Sequence, residues 1–226
     1  MSAGSSLGQP RIDRRGYVVK EQDVIDVLSY GPVSSAAVYG LNNSIRGAKF
    51  PMSTDIDSIN FELTNGIKSL AQAERGAGHD QWLTGVIVQF DLKFSNKAWV
   101  EAERYHFFDF VSSQSTMHRI TKFNLRNSYN QYVDPDIVEI MQKKVNEYNE
   151  MVEAKADKND ITEKYLEILY SNPAGFELTA RMTTNYRQLK TIYAQRRNHR
   201  LPEWRKFCEW IELLPHSELI TSNIKD

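Results

Sequence analysis

The chain has 226 residues, enough to bury a substantial core, and its 41% hydrophobic and 25% charged content is ordinary for a globular protein. A net charge of −1 excludes a general polyanion binder, and no run of about 18 apolar residues is present to span a membrane. The first ten residues hold no apolar stretch of signal-peptide kind, and the single cysteine, Cys208, has no partner for an internal disulfide, so a cytoplasmic setting is expected.

Residues 1–16 are small, polar and punctuated by glycine and proline, which predicts a flexible arm ahead of one domain over 17–226. A short helix is expected across Glu21–Ser29, ending at Gly31-Pro32. Thr54-x-x-Asp57 reads as a capping box for a helix through Ile56, Ile59, Leu63, Ile67 and Leu70, stopped by Gly76-Ala77-Gly78. Val86, Val88, Phe90, Leu92 and Phe94 then alternate with Ile87, Gln89, Asp91 and Lys93, the pattern of a strand with one buried face. Ser95-Asn96 opens a helix expected to carry Trp99, Ala102, His106, Phe107 and Phe110. Asp134-Pro135 starts another, with Val138, Met141, Val145, Tyr148 and Val152 on one side. After a polar connector, Asp160-x-x-Glu163 is expected to cap a helix running to about Tyr170, broken at Asn172-Pro173-Ala174-Gly175.

The last quarter predicts two helices. Thr183-Thr184 caps the first, which runs to about Arg197; Asn185, Leu189, Ile192 and Arg196 fall within roughly 60° of one another on it. Leu201-Pro202 starts the second, whose Trp204, Phe207, Cys208 and Ile211 follow i, i+3, i+4, i+7 spacing. Between Arg181 and Lys206 lie eight basic residues and one acid, Glu203, a local charge of +7. Such a concentration repels itself unless an anion sits there, so it marks either an anion site or a solvated basic face. The sequence shows no Gly-x-Gly-x-x-Gly, no phosphate-loop lysine motif and no histidine, cysteine and acid cluster at metal-ligand spacing. Cys208 lies on an apolar stripe and reads as core filler rather than a nucleophile.

The stretch Thr183-Thr184-Asn185-Tyr186-Arg187-Gln188-Leu189, continuing to Tyr193, Arg196 and Pro202-Glu203-Trp204, resembles the C-terminal signature of flavin-dependent thymidylate synthases. Asn185 and Arg187 match the family's Asn-x-Arg pair and Arg196 its later arginine, while Trp204 sits one residue further along. Gly78-His79 is similar to the family's Gly-His before the first core strand. Gln114-x-x-Met117-His118-Arg119 is similar to its Gln-x-x-Arg-His-Arg. In that register Asn124 also agrees, but Met117 replaces an arginine, Lys122 and Asn127 replace serines, Leu125 a glutamate and Tyr129 the last arginine.

The resemblance, which extends from His79 to Leu214, implies an α/β (α+β) fold with a mixed sheet flanked by helices. It also implies transfer of a one-carbon unit from methylenetetrahydrofolate to C5 of dUMP or a related pyrimidine deoxynucleotide. FAD would be the cofactor, NADPH the reductant, and a homotetramer the assembly. His79, His118, Arg119, Asn185 and Arg187 would contact the flavin, and Gln114, Asn124, Arg181 and Arg196 the nucleotide, with Arg196 lined by solvent until the ligand arrives. Asn185 equally suits a plain helix cap. Loss of the motif arginine, glutamate and serines leaves open a non-catalytic or altered-substrate relative. The +7 segment keeps nucleic-acid binding as a third possibility, weighed down by the acidic remainder of the chain.

Overall fold

The computed structural model describes residues 23–74 and 77–222, preceded by the backbone of two short paired strands, β1 (Arg11–Ile12) and β2 (Val18–Val19). The rest of the expected N-terminal arm lies outside the described residues. Five strands form the main sheet: β3 (Val24–Val27), β4 (Val33–Tyr39), β5 (Ile87–Ser95), β6 (Asp109–Ser113) and β7 (Glu177–Asn185), in the order β3-β4-β5-β7-β6. The α/β class is found, but the expected mixture of strand directions is not, because all four pairings are antiparallel.

The alternation between Val86 and Phe94 folds as read. Val88, Phe90, Leu92 and Phe94 are fully buried, and the intervening residues point to a face that stays partly exposed. Met182 and Ala180 of β7 and Val38 of β4 continue the buried face. Trp204, Phe207 and Trp210 pack against it, with Phe94 4.8 Å from Trp204 and Phe90 5.0 Å from Trp210 between ring centres.

The helices are α1 (Leu41–Gly47), α2 (Asn65–Ala71), α3 (Asn96–Ala102), α4 (Thr116–Arg119), α5 (Pro135–Glu153), α6 (Lys158–Ser171), α7 (Tyr186–Arg196), α8 (Pro202–Ile211) and α9 (Glu218–Thr221). Ser95 caps α3 by accepting from the Ala98 amide, and Asp134 caps α5 ahead of its N-terminal proline, both as expected. On α5, Met141 and Val145 are buried, whereas Val152 is exposed. With Ile120, Leu125, Ile168 and Phe176 they make a second apolar cluster under α5 and α6, and Leu178 of β7 packs against both clusters.

Several elements differ from the sequence reading. Val24–Val27 is an edge strand rather than part of a helix; Glu21 and Gln22 lie outside the described residues. The capping box at Thr54 is not used, and α2 is capped ten residues later by Thr64, whose hydroxyl accepts from the Ile67 amide. Ser53, Asp55 and Ser58 instead bond to their own neighbourhood, which offers the backbone an alternative to the helix. The helix after Asn96 stops at Ala102, and Phe110 belongs to β6, where aromatic and β-branched residues suit a pleated edge. Asp157, not Asp160, caps α6. Thr183 and Thr184 are strand residues, and Asn185 caps α7.

Candidate functional site

Strand β7 passes directly into α7 through Asn185, whose Oδ1 accepts from the Gln188 amide at 2.9 Å. That junction forms one wall of a cleft of about 1250 Å³. Asn185, Arg187, Gln188, Lys190, Thr191 and Ala194 line it from the β7–α7 side. Asp80, Gln81, Thr84 and Ile87 line it from the turn that leads into β5, and His106 and Phe107 from the turn before β6.

A buried carboxylate organises this cleft. Asp80 is 2% exposed and lies 3.1 Å from Arg187 Nε and 3.2 Å from Lys190 Nζ. Arg187 also donates to Gln81 Oε1 at 2.8 Å, and Lys190 donates to the carbonyls of Ala71 and Ala73 at the end of α2. Two cations at i and i+3 of one helix thus hold the segment after α2 against α7, and the Lys190 ammonium satisfies helix-end carbonyls. Asp80 and Lys190 were not singled out in the sequence. The i, i+3 spacing of Arg187 and Lys190 was the available sign that one buried acid would meet both.

The structure brings Asn185 and Arg187 together, with His79 exposed beside Asp80 but not lining the cleft. The other motif residues lie elsewhere. Gln114 continues the β6–β7 ladder: its amide donates to the Thr179 carbonyl at 3.0 Å, and its Oε1 accepts from the Thr179 amide at 2.9 Å. His118 and Arg119 end α4 beyond it, and both are exposed, as is Asn124. Along β7, Asn185 lies six positions beyond Thr179, about 20 Å of strand. Arg181 lies between, on the open face of the sheet, donating to the Ser35 carbonyl at 2.7 Å and paired with Asp91 at 3.2 Å.

Arg196 does share a helix face with Asn185, Leu189 and Ile192, but that face is the buried one, so the expectation of a solvent-lined side chain is not met. The residue is 4% exposed. Its guanidinium lies over the Trp204 ring at 4.8 Å, donates to Tyr105 Oη at 2.7 Å and meets Glu101 Oε2 at 2.6 Å. It brackets α3, α7 and α8. His199 completes the group: Nδ1 accepts from the Leu201 amide at 3.2 Å, and Nε2 lies 3.0 Å from Glu101 Oε2. Nε2 also lies 2.7 Å from Arg196 Nη1, which can only donate, so the imidazole, the guanidinium and the Glu101 carboxylate form one shared network. Burial and then the Arg196 charge hold the His199 pKa below its usual value, against the pull of Glu101.

Four of the eight basic residues of the +7 segment meet acids from earlier in the chain. Asp91 meets Arg181, Asp80 meets Arg187 and Lys190, Glu101 meets Arg196, and Arg205 caps the carbonyls of His199 and Arg200. Cys208 is buried as expected, and burial pushes its thiol up to about 12, which removes it as a nucleophile. Among the described residues no helix is long and apolar enough to cross a membrane.

No family model matches the sequence, and no curated protein matches it. Solved structures do. Thymidylate synthase X from Helicobacter pylori, with FAD and dUMP, superposes at a TM-score of 0.62 and 14% identity, over 84% of this chain and 97% of the other. The fold is that of the flavin-dependent thymidylate synthases. A second structure of the Helicobacter pylori enzyme, also complexed with FAD and dUMP, gives 0.60 at 15% identity, over 90% of this chain and all of the other. A UMP/dUMP methylase from Streptomyces cacaoi, bound with 5-Br dUMP, gives 0.53 at 12% identity, over 87% and 94%. The shared architecture is consistent with the resemblance carried by the Asn185–Arg187 stretch.

Two predictions concern the Arg196 bracket. Arg196→Ala leaves Glu101 and Tyr105 without their shared donor and should cost about 3 kcal/mol in urea unfolding. Arg196→Lys should recover less than half, since one ammonium cannot replace the fork. A loss for the alanine variant of only about 0.5 kcal/mol, typical of surface positions, would contradict the bracket. For His199, the folded pKa lies below the unfolded value of about 6.5, so its contribution is complete above that pH. As pH falls the unfolded chain takes the proton first, and the contribution is lost as pH passes down through the folded pKa. Unfolding measured from pH 7 to pH 5 should show a shallower acid loss in His199→Asn; parallel curves would mean that the ring takes its proton equally readily folded and unfolded.

Proposed function

We propose that this chain is a flavin-binding, pyrimidine-nucleotide-modifying enzyme of the flavin-dependent thymidylate synthase type. The reaction would transfer a one-carbon unit from methylenetetrahydrofolate to C5 of dUMP, with FAD as cofactor and NADPH as reductant. The carrying observation is a fold shared along 84% of this chain with a protein that holds both FAD and dUMP. The cleft at the β7–α7 junction supports the same reading, because it coincides with the Asn185-x-Arg187 match.

Its donor set fits a flavin. The Asn185, Gln81 and Gln188 amides suit the polar edge of a planar ring, Arg187 adds a guanidinium, and Ile87 and Phe107 supply apolar wall that excludes water. Bound flavin would supply the electrons that turn a transferred one-carbon unit into a methyl group. The protein's part is to orient the rings and keep the cleft dry. The cleft's cations are already opposed by Asp80, so shape and amide hydrogen bonds, rather than net positive charge, would select the ligand.

A relative with altered substrate or no turnover is the second reading, and one observation favours it. Where the family's motif has a glutamate and a final arginine, this chain has Leu125, fully buried, and Tyr129, packed 5.2 Å from Phe176 in the second apolar cluster. Leu125 is core and Tyr129 packs partly buried against that cluster, so neither position offers a charged group. Nucleic-acid binding loses part of its support, because four of the segment's eight basic residues already meet acids of the same chain.

A homotetramer belongs to the proposal, for a geometric reason. With about 20 Å of strand between them, Gln114 and Asn185 of one chain cannot meet on one small ligand. Neighbouring chains would bring the two ends together, in a cytoplasmic assembly. Light scattering at micromolar concentration should give four chain masses; a stable monomer would sink the shared site.

The cofactor is tested by titration. FAD fluorescence should be quenched on adding the protein, and the melting temperature should rise by several degrees at a ligand concentration about a hundredfold above Kd. If millimolar FAD changes neither signal, the likeness is one of fold alone.

A further inference from the structure

We propose that Phe107 is a stacking platform for the planar ring of the cleft's ligand, kept at a cost in backbone strain that the fold itself does not need. The proposal rests on the reading of the cleft as a nucleotide site and assigns its aromatic subsite to a residue outside the motif matches.

Phe107 has φ +59°, in the left-handed region. A side chain with a Cβ crowds its own backbone there, and a bulky aromatic is a genuine outlier. Packing of its own ring does not explain the strain, because the residue is 66% exposed. Its surroundings impose the conformation instead. Tyr105 and Phe108 are 8% and 4% exposed, and they pin the chain into the core on either side. The Phe107 carbonyl accepts a 2.6 Å hydrogen bond from Thr184 Oγ1, itself on a buried residue of β7. The turn is over-determined, and glycine would sit in it with less strain.

A large apolar ring left in water at a strained position is a poor choice for folding and a good one for binding. Phe107 lines the cleft together with the Asn185 amide, Arg187 and Ile87. A phenyl face beside amide donors and acceptors suits a planar heteroaromatic ring, stacked on its face and hydrogen-bonded at its edge. Isoalloxazine and pyrimidine share that chemistry, so FAD and dUMP are the probes.

The test compares Phe107→Gly, Phe107→Leu and wild type by thermal melting without ligand and by titration with FAD and with dUMP. Phe107→Gly should melt at or above wild type, since it relieves the strain and removes little burial. It should bind its ring ligand about tenfold or more weakly. Phe107→Leu keeps the apolar bulk and the strain but has no π-face, and should lose comparable affinity. Which probe weakens, FAD or dUMP, identifies the ring on the platform. Wild-type affinity in either variant for both probes would overturn the platform while leaving the nucleotide reading intact. A melting temperature of Phe107→Gly well below wild type would overturn it too, by showing the ring to be structural. Failure of wild type to bind either probe would overturn the nucleotide reading and the platform together.

Discussion

The antiparallel register of β5 and β7 is the constraint on which the molecule depends. Nine consecutive residue pairs, from Ile87↔Asn185 to Ser95↔Glu177, set the two strands side by side at the centre of the sheet. Each strand ends in the residue that caps the next helix, Ser95 for α3 and Asn185 for α7. Because the strands run in opposite directions, the two caps lie at opposite ends of the sheet. A slip of one residue would exchange the buried row of β5, Val88 to Phe94, for the half-exposed one, so the apolar pattern itself holds the register. The cleft inherits its geometry from this pairing, since Ile87 on one strand and Asn185 on the other are both in its wall.

Charge is arranged around the same frame. The acids that answer the basic segment lie at 80, 91 and 101, between 90 and 110 residues before their partners, on β5 and the segments flanking it. Folding brings them to β7 and α7, and each then reduces the self-repulsion that the local +7 implies. The pairs differ in environment. Arg181–Asp91 sits on the partly exposed sheet face and contributes little. Arg196–Glu101 is walled by Trp204 and Tyr105, where loss of one partner strands the other.

Legibility followed the length scale of the signal. The period-two run of β5, the Ser95 and Asp134 caps and the apolar stripe of α8 are local, and each was readable from neighbouring residues. Strand β4, rich in small residues, and β7, with its threonines and arginine, carry no comparable pattern, because their places in the sheet come from partners far along the chain. Asn185 and Arg187 were recognised through a motif, and the cleft contains both. Asp80 and Phe107 had no local mark: one matters because two distant cations meet it, the other because of a backbone angle.

The sequence by itself determined which faces of β5, α7 and α8 are apolar, and so which residues become core, including Cys208 and the buried side of α7. Binary patterning acts within a few residues, and a linear chain displays it directly. Only the tertiary structure decided what a buried or half-buried charge does. Arg196 lies on the face the pattern assigned, yet whether it meets a ligand or Glu101 depends on which residue arrives from α3. The electrostatics of an arginine depend on distance and burial, and both come into being when elements separated by a hundred residues pack together.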